Sequence, residues 1–188
     1  MPQEALSSLE LLSRARGGDR DALERLCARY LPRLKRWAHQ RLPGWARGSL
    51  DTDDLVQESL FRTLGHLGDF VPHHEAALQA YVRQALLNRI RDEVRRAGRR
   101  PAATELDSGH PDPGPSPLEQ SIGRDAVERY EAALARLKEE DRAAIVAKLE
   151  WGGTYQELAA SLGKPSPDAA RMALSRALLR LAEEMARA

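Results

Sequence analysis

Residues 154–185 read TYQELAASLGKPSPDAARMALSRALLRLAEEM, and this stretch decides the fold. Thr154-Tyr155-Gln156-Glu157 has the form of a capping box, in which the Thr hydroxyl and the Glu carboxylate satisfy each other's exposed backbone donors. The short helix it opens is expected to bury Tyr155, Leu158, Ala159 and Leu162. Gly163 supplies the turn, because a left-handed conformation costs glycine little. Ser166-Pro167 is a second start signal, a cap followed by Pro at the first helical position. Beyond it Ala170, Leu174, Ala177, Leu178, Leu181 and Met185 share one face. Short helix, glycine turn and longer helix describe a helix-turn-helix, whose second helix would enter a DNA major groove. Asp168, Met172, Ser175, Arg176 and Leu179 point away from the core face, with Arg171 on the flank. That face is not strongly basic, and a plain helical hairpin inside a bundle has the same pattern.

Upstream, the boundary is a proline-rich run from Pro101 to about Pro117, through Asp112-Pro113-Gly114-Pro115-Ser116-Pro117. Proline removes backbone donors and forces extended geometry on its neighbours, so this run reads as a flexible linker between two units. The unit before it also reads as helical. Leu23, Leu26, Cys27, Tyr30, Leu34, Trp37 and Ala38 recur at helix spacing after a cap at Asp19 or Asp21. Pro32 falls inside that pattern and is expected to kink or split the helix. A second helix should begin near Asp51 and bury Leu55, Val56, Leu60, Thr63, Leu64 and Leu67. A third, from about Glu75 to Ala97, should bury Leu78, Val82, Ala85, Leu86, Ile90 and Val94. After the linker, Val127, Tyr130, Leu134 and Leu137 form one stripe, and Ile145, Val146 and Leu149 another. Helices this short are marginal alone and must hold one another by their apolar faces. The expected fold is all-α: two small helical domains joined by a flexible linker.

Composition agrees. The chain has 188 residues, and 42% of them are hydrophobic but only 5% aromatic, enough for modest helical cores and poor in strand formers. The single cysteine, Cys27, excludes an internal disulfide and lies on an apolar stripe, where it is most simply core. No apolar run approaches the roughly 18 residues a membrane span needs, and the first residues lack a secretory signal pattern. A cytoplasmic location is therefore expected. His66, His73 and His74 lack a placed carboxylate or thiol, so no metal site is expected, and no cofactor motif is present. No phosphate loop, nucleophile elbow or paired carboxylates support catalysis, and none is expected.

Net charge is only +1, because 29 Lys and Arg offset 28 Asp and Glu, but the sum averages unlike segments. Arg83, Arg89, Arg91, Arg95, Arg96, Arg99 and Arg100 form a basic block opposed locally by Asp92 and Glu93 alone. Asn88, Asp92, Arg95 and Arg99 lie in one helical row, with Arg91 and Arg96 alongside. Arg forks suit phosphate and an amide can read a base edge. Tyr81 lies two turns upstream, where its ring is either plain core or a face on which an unstacked base packs. On the preceding helix Asp54, Glu58 and Arg62 fall at i, i+4 and i+8, either a capped, solvated face or a docking surface for a basic partner.

The residues match a family. Asp53-Asp54-Leu55-Val56-Gln57-Glu58, Leu78-Gln79-Ala80-Tyr81, and Asn88-Arg89-Ile90-Arg91-Asp92-Glu93-Val94-Arg95-Arg96 resemble region 2 of bacterial sigma-70-family factors. The segment Leu137 to Met185, with Thr154-Tyr155-Gln156-Glu157-Leu158-Ala159 and Leu174-Ser175-Arg176-Ala177, is similar to region 4. Length and two-part layout point to the small extracytoplasmic-function (ECF) group. The resemblance implies region 2 over residues 1–100, a linker over 101–122 and region 4 over 123–188. It implies a transcription initiation factor, not an enzyme, that binds core RNA polymerase, recognises promoter −10 and −35 elements and assists melting.

Carried over by position, Asp54, Gln57 and Glu58 would dock on the clamp helices of the polymerase β′ subunit, with the β flap as a second polymerase contact. The loop from about Gly68 to Glu75 would capture a base flipped from the −10 non-template strand. Tyr81, Asn88, Arg91, Asp92, Arg95 and Arg96 would hold that element, with Tyr81 standing where many members have Trp. Arg171, Met172, Ser175 and Arg176 would read the −35 duplex. The resemblance also allows an anti-sigma protein as partner, and implies neither membrane insertion nor a small-molecule substrate. Two other readings fit the residues alone: a stand-alone helix-turn-helix regulator with an N-terminal dimerisation or sensor bundle, and a helical interaction adaptor without a nucleic-acid role.

Overall fold

The computed structural model describes residues 6–43, 52–67, 70–99 and 115–187, and every regular element among them is helical. Helix α1 (Ser8–Arg16) was not anticipated. Its signal is another capping box: the Glu10 carboxylate accepts the Ser7 N–H at 2.7 Å, and the Ser7 hydroxyl accepts the Glu10 N–H at 3.2 Å. Helix α2 (Arg20–Arg41) is capped by Asp19, which accepts the Ala22 N–H at 3.0 Å. It runs through Pro32 as one element, so of the expected kink or split the split does not occur. Pro32 and Ala28, whose carbonyl loses its partner, both face solvent, where water replaces the missing bond. Leu26, Cys27, Tyr30, Leu34, Trp37 and Ala38 are buried on the opposite face and hold the helix on both sides of the proline.

Helices α3 (Thr52–Gly65) and α4 (Glu75–Arg99) complete the first bundle, with α2 packed on α1, α3 and α4. Asp51, proposed as the start of α3, lies outside the described residues, as do linker residues 101–114. The stretch assigned to the end of the linker is instead helix α5 (Pro117–Ile122), capped by Ser116 with Pro117 in its first turn. Proline is tolerated there because the first N–H groups of a helix have no internal partner.

The second bundle comprises α6 (Arg124–Arg136), α7 (Glu139–Ile145), α8 (Tyr155–Ser161) and α9 (Pro167–Ala186). After Ile145 the chain makes one π-helical turn, Val146–Glu150, closed by the Trp151 N–H donating to the Val146 carbonyl at 3.0 Å. A wider turn shifts the phase of the helix. Leu149, expected beside Ile145 and Val146, is therefore 55% exposed, while the Glu150 carboxylate turns inward to 6%. Tyr155 is likewise 38% exposed rather than buried, with the Lys148 ammonium 4.6 Å from its ring centre.

The two bundles are docked. Helix α4 packs on α7, the π turn and α8, and α2 packs on α5. Trp151 meets Tyr30 edge-on with ring centres 5.0 Å apart, and the buried side chains of both bundles form one continuous cluster. Burying a large apolar side chain contributes roughly 1.5–3 kcal/mol, so the Trp151–Tyr30 contact is a substantial apolar element of the joint.

Candidate nucleic-acid interface

Three surfaces carry the residues singled out in the sequence. The first is the outer face of α3, where Asp54, Gln57 and Glu58 are all exposed because Leu55, Val56, Leu60 and Leu64 take the inner face. Two acidic residues, Asp53 and Asp54, stand in its first turn, where the helix dipole stabilises anions. Glu58 pairs with Arg62 at 3.0 Å and approaches Arg89 at 3.9 Å. Exposed pairs of this kind are weak, so a stronger cationic partner displaces them at little cost.

The second surface is the outer row of α4. Asn88, Arg91, Asp92, Arg95 and Arg96 are exposed together, while Leu86, Leu87 and Ile90 face the core. Arg95 is tethered to Asp92, and Arg96 donates to Glu93 at 2.9 Å. The Glu93 carboxylate is buried and also holds Arg89 at 2.8 Å. The Arg99 and Arg100 side chains and loop residues Gly68 and Asp69 lie outside the described residues. Tyr81 is partly buried and stacks on Phe70, with ring centres 4.1 Å apart and planes 11° off parallel. One of its faces is therefore already occupied by an aromatic ring.

The third surface is the outer face of α9. The Thr154 box forms as read, with the Glu157 carboxylate accepting the Thr154 N–H at 2.6 Å. Gly163 adopts φ +63°, which lets the Lys164 N–H reach back to the Ala159 carbonyl at 2.8 Å and end α8. Ser166 caps α9 by accepting the Ala169 N–H at 3.1 Å. Ala170, Leu174, Ala177 and Leu181 are buried against the other helices, which turns Arg171, Met172, Ser175 and Arg176 outward. Arg180 bonds both Asp141 oxygens at 2.7 Å and ties α9 to α7. The result has the geometry of a helix-turn-helix with its second helix presented to solvent.

Arg83 departs from the sequence reading. Counted with the basic surface block, it is 1% exposed and points into the joint between the bundles. There it bonds Glu150 at 2.8 Å through Nε and 2.9 Å through Nη2, and also donates to Glu131 at 2.5 Å. Arg41 approaches Glu150 at 3.3 Å and Glu131 at 3.5 Å. The Tyr130 hydroxyl donates to Glu150 at 2.8 Å and the Trp37 indole N–H at 2.5 Å, while both guanidiniums stack near the Trp37 ring. Burial opposes the Glu150 charge, but the Arg83 charge and hydrogen bonds outweigh it and hold the carboxyl below its usual range.

The signal for this cluster was present. Arg83 follows Gln79 and precedes Leu86 and Ile90 at helical spacing, and Glu131 stands between Val127 and Leu134. A charge on an apolar stripe needs a buried partner. Cys27 is buried, as read. Among the described residues no group of His, Cys, Asp and Glu is placed to hold a metal ion, and no helix is long and apolar enough to cross a membrane.

The profile of the family described as Sigma-70 region 2 matches residues 26–100, covering α3, α4 and most of α2. Across 178 residues the chain is 29% identical to the ECF RNA polymerase sigma factor SigD of Mycobacterium tuberculosis, covering 93% of this chain and 82% of that one. It is 33% identical over 157 residues to SigM of the same species, covering 84% and 74%. It is 32% identical over 178 residues to the ECF sigma factor ShbA of Streptomyces griseus, covering 91% of each. These matches span both bundles rather than the helix-turn-helix alone, so the chain belongs to the ECF group of sigma-70-family RNA polymerase sigma factors.

Proposed function

We propose that this chain binds core RNA polymerase, directs it to a subset of promoters and assists strand opening. The observation that carries the reading is that one chain of this family presents an acidic face on α3, an arginine row on α4 and an outward α9. Asp54, Gln57 and Glu58 dock on the polymerase β′ clamp helices, and the second bundle meets the β flap. Asn88, Arg91, Asp92, Arg95 and Arg96 hold the −10 non-template strand, and Tyr81 offers a ring to an unstacked base. Arg171, Met172, Ser175 and Arg176 read the −35 duplex. Residues 1–100 thus act as region 2 and 123–188 as region 4, in the cytoplasm where polymerase works. An anti-sigma protein is a further partner consistent with the family.

No chemistry is required of the chain. Unstacking a base costs a few kcal/mol, offset by ring stacking and by arginine–phosphate attraction along the separated strand. Attachment to polymerase makes the second DNA contact effectively intramolecular, so two weak sites suffice for specificity. The test is in vitro transcription with core enzyme on a genomic fragment library, sequencing the 5′ ends. Start sites sharing paired −10 and −35 motifs support the reading, and transcripts no different from those of core alone refute it. A stand-alone regulator would instead ignore polymerase and bind duplex DNA as a dimer.

A further inference from the structure

Helix α1 lies outside residues 26–100, the part of the chain matched to region 2, and none of the three surfaces includes it. Leu11 and Leu12, 1% and 3% exposed, seat it on the first bundle. Its two ends reach the same short stretch of chain, residues 70–75, which leads into α4. At the N-terminal end the Ser8 hydroxyl, fully buried, donates to the Glu75 carboxylate at 2.6 Å and accepts from Arg29 at 3.0 Å. Arg29 also donates to the Leu6 carbonyl at 2.8 Å. At the C-terminal end the Arg16 guanidinium donates to the Phe70 carbonyl. A helix of 9 residues is about 13 Å long, and the steps from Phe70 to Glu75 extend at most about 17 Å, so α1 straps this stretch at both ends.

Phe70 is thereby fixed from two sides. Its N–H donates to the Leu67 carbonyl at 3.1 Å, closing a turn, and its carbonyl accepts from Arg16. The second bond is charge-assisted and so among the stronger ones. Beyond Phe70, Pro72 is buried, and the Ala77 N–H donates to His74 Nδ1 at 3.0 Å to cap the start of α4. On this anchored backbone the Phe70 ring lies flat against Tyr81, with centres 4.1 Å apart and planes 11° off parallel.

We propose that α1 belongs to the strand-capture machinery: Arg16 is a positioning residue that keeps the Phe70 ring stacked on Tyr81, and the unstacked −10 base packs on this ring pair as a third layer. This rests on the reading of Tyr81 as a ring that receives an unstacked base. Tyr81 alone is fixed by α4, but one of its faces is already covered, so the surface a base meets depends on where Phe70 stands. A loop ring free to swing would have to be ordered as the base arrived, at a cost in affinity. Arg16 meets that cost in advance by holding the backbone that carries the ring. The aromatic pair is itself favourable, and base stacking on an aromatic surface contributes about fivefold or more in affinity.

The test titrates holoenzyme on fork DNA with a single-stranded −10 segment, beside forks made abasic at one −10 position each. Native holoenzyme should lose about fivefold or more on one abasic fork, the one lacking the stacking base. Arg16→Ala should lose about threefold or more on the intact fork, since the Leu67 bond still holds Phe70 in part, and nothing further on that abasic fork. Phe70→Ala should cost at least as much, and adding Arg16→Ala to it nothing more, because both act through one contact. The slope of log affinity against log salt should not change, whereas a direct phosphate contact from Arg16 would lower it by about 0.7. Arg16 is exposed, so its removal leaves helicity and coelution with core polymerase intact. Undiminished binding of the intact fork by Arg16→Ala overturns the inference. So does a loss that persists on the abasic fork, or a reduced salt slope. Should Phe70→Ala lose its helicity, the abasic comparison with Arg16→Ala decides alone. Tyr81→Ala separates the two claims: unimpaired fork binding removes Tyr81 from strand capture and the inference with it, while a loss with Tyr81→Ala and none with Arg16→Ala removes only the role of α1.

Discussion

Replacing Arg95 and Arg96 together by alanine isolates the contribution of α4 to strand capture. Both side chains are more than half exposed, at 63% and 60%. Their loss leaves the fold intact, because the buried Glu93 keeps Arg89 at 2.8 Å and Asp92 is itself exposed. Each arginine that neutralises one phosphate on a single strand contributes about 0.7 to the slope of log affinity against log salt. Two full contacts give about 1.4. An arginine that keeps its carboxylate neighbour neutralises less, so the expected change lies between about 0.7 and about 1.4. Between 50 and 200 mM salt, the upper value means the native holoenzyme loses about sevenfold more affinity than the variant. The assay is titration of holoenzyme on labelled fork DNA with a single-stranded −10 segment, at several KCl concentrations. Run-off transcription should suffer more on closed duplex promoters than on pre-melted ones. An unchanged salt slope, or equal loss on both templates, would refute the assignment of this row to the melted strand.

Other perturbations address the remaining surfaces. Asp54→Lys with Glu58→Lys should abolish coelution with core polymerase while helicity is retained, since both side chains are exposed; undiminished coelution removes α3 from the docking surface. Arg176→Ala should weaken discrimination at −35 alone, by the ~1–3 kcal/mol typical of one specific base contact; a −35 mutant panel unaffected by the change would exclude α9 from promoter reading. Burial, with Glu24 adding a like-signed effect, pushes the Cys27 thiol up to about 11. At pH 8 roughly one thiol in a thousand is then ionised, so alkylation should be slow in the folded chain and rise sharply in urea. Fast modification of the native protein would contradict the packing of α2.

Local chemistry made the elements legible. The Thr154 box, Gly163 and the Ser166-Pro167 start specify the helix-turn-helix within one residue of the observed limits, because each motif satisfies its own backbone groups without help from the rest of the chain. The acidic and arginine rows were legible for a similar reason: helical spacing alone decides which residues share a face. What stayed hidden depends on partners distant in sequence. Leu149 was assigned to the core by a period that the π turn interrupts, and nothing in Val146–Glu150 announces a wider turn. Pro32 was read as a kink or a split because its propensity is local, whereas the burial on either side that keeps the helix one element is tertiary.

Arg83 shows why a local tally of charge misreads a surface. Counted over residues 83–100 it is one more cation on a basic face, yet its partners lie 48 and 67 residues away on α6 and the π turn. Arg41 and Arg83 enter the joint with Glu131 and Glu150, so two cations and two anions leave the surface together and the net charge does not register their loss. The clue is position rather than charge: an ionised side chain on an apolar stripe is tolerable only if something ionised of opposite sign comes to meet it. In a chain with two apolar stripes carrying opposite charges, that requirement amounts to a statement that the two stripes meet.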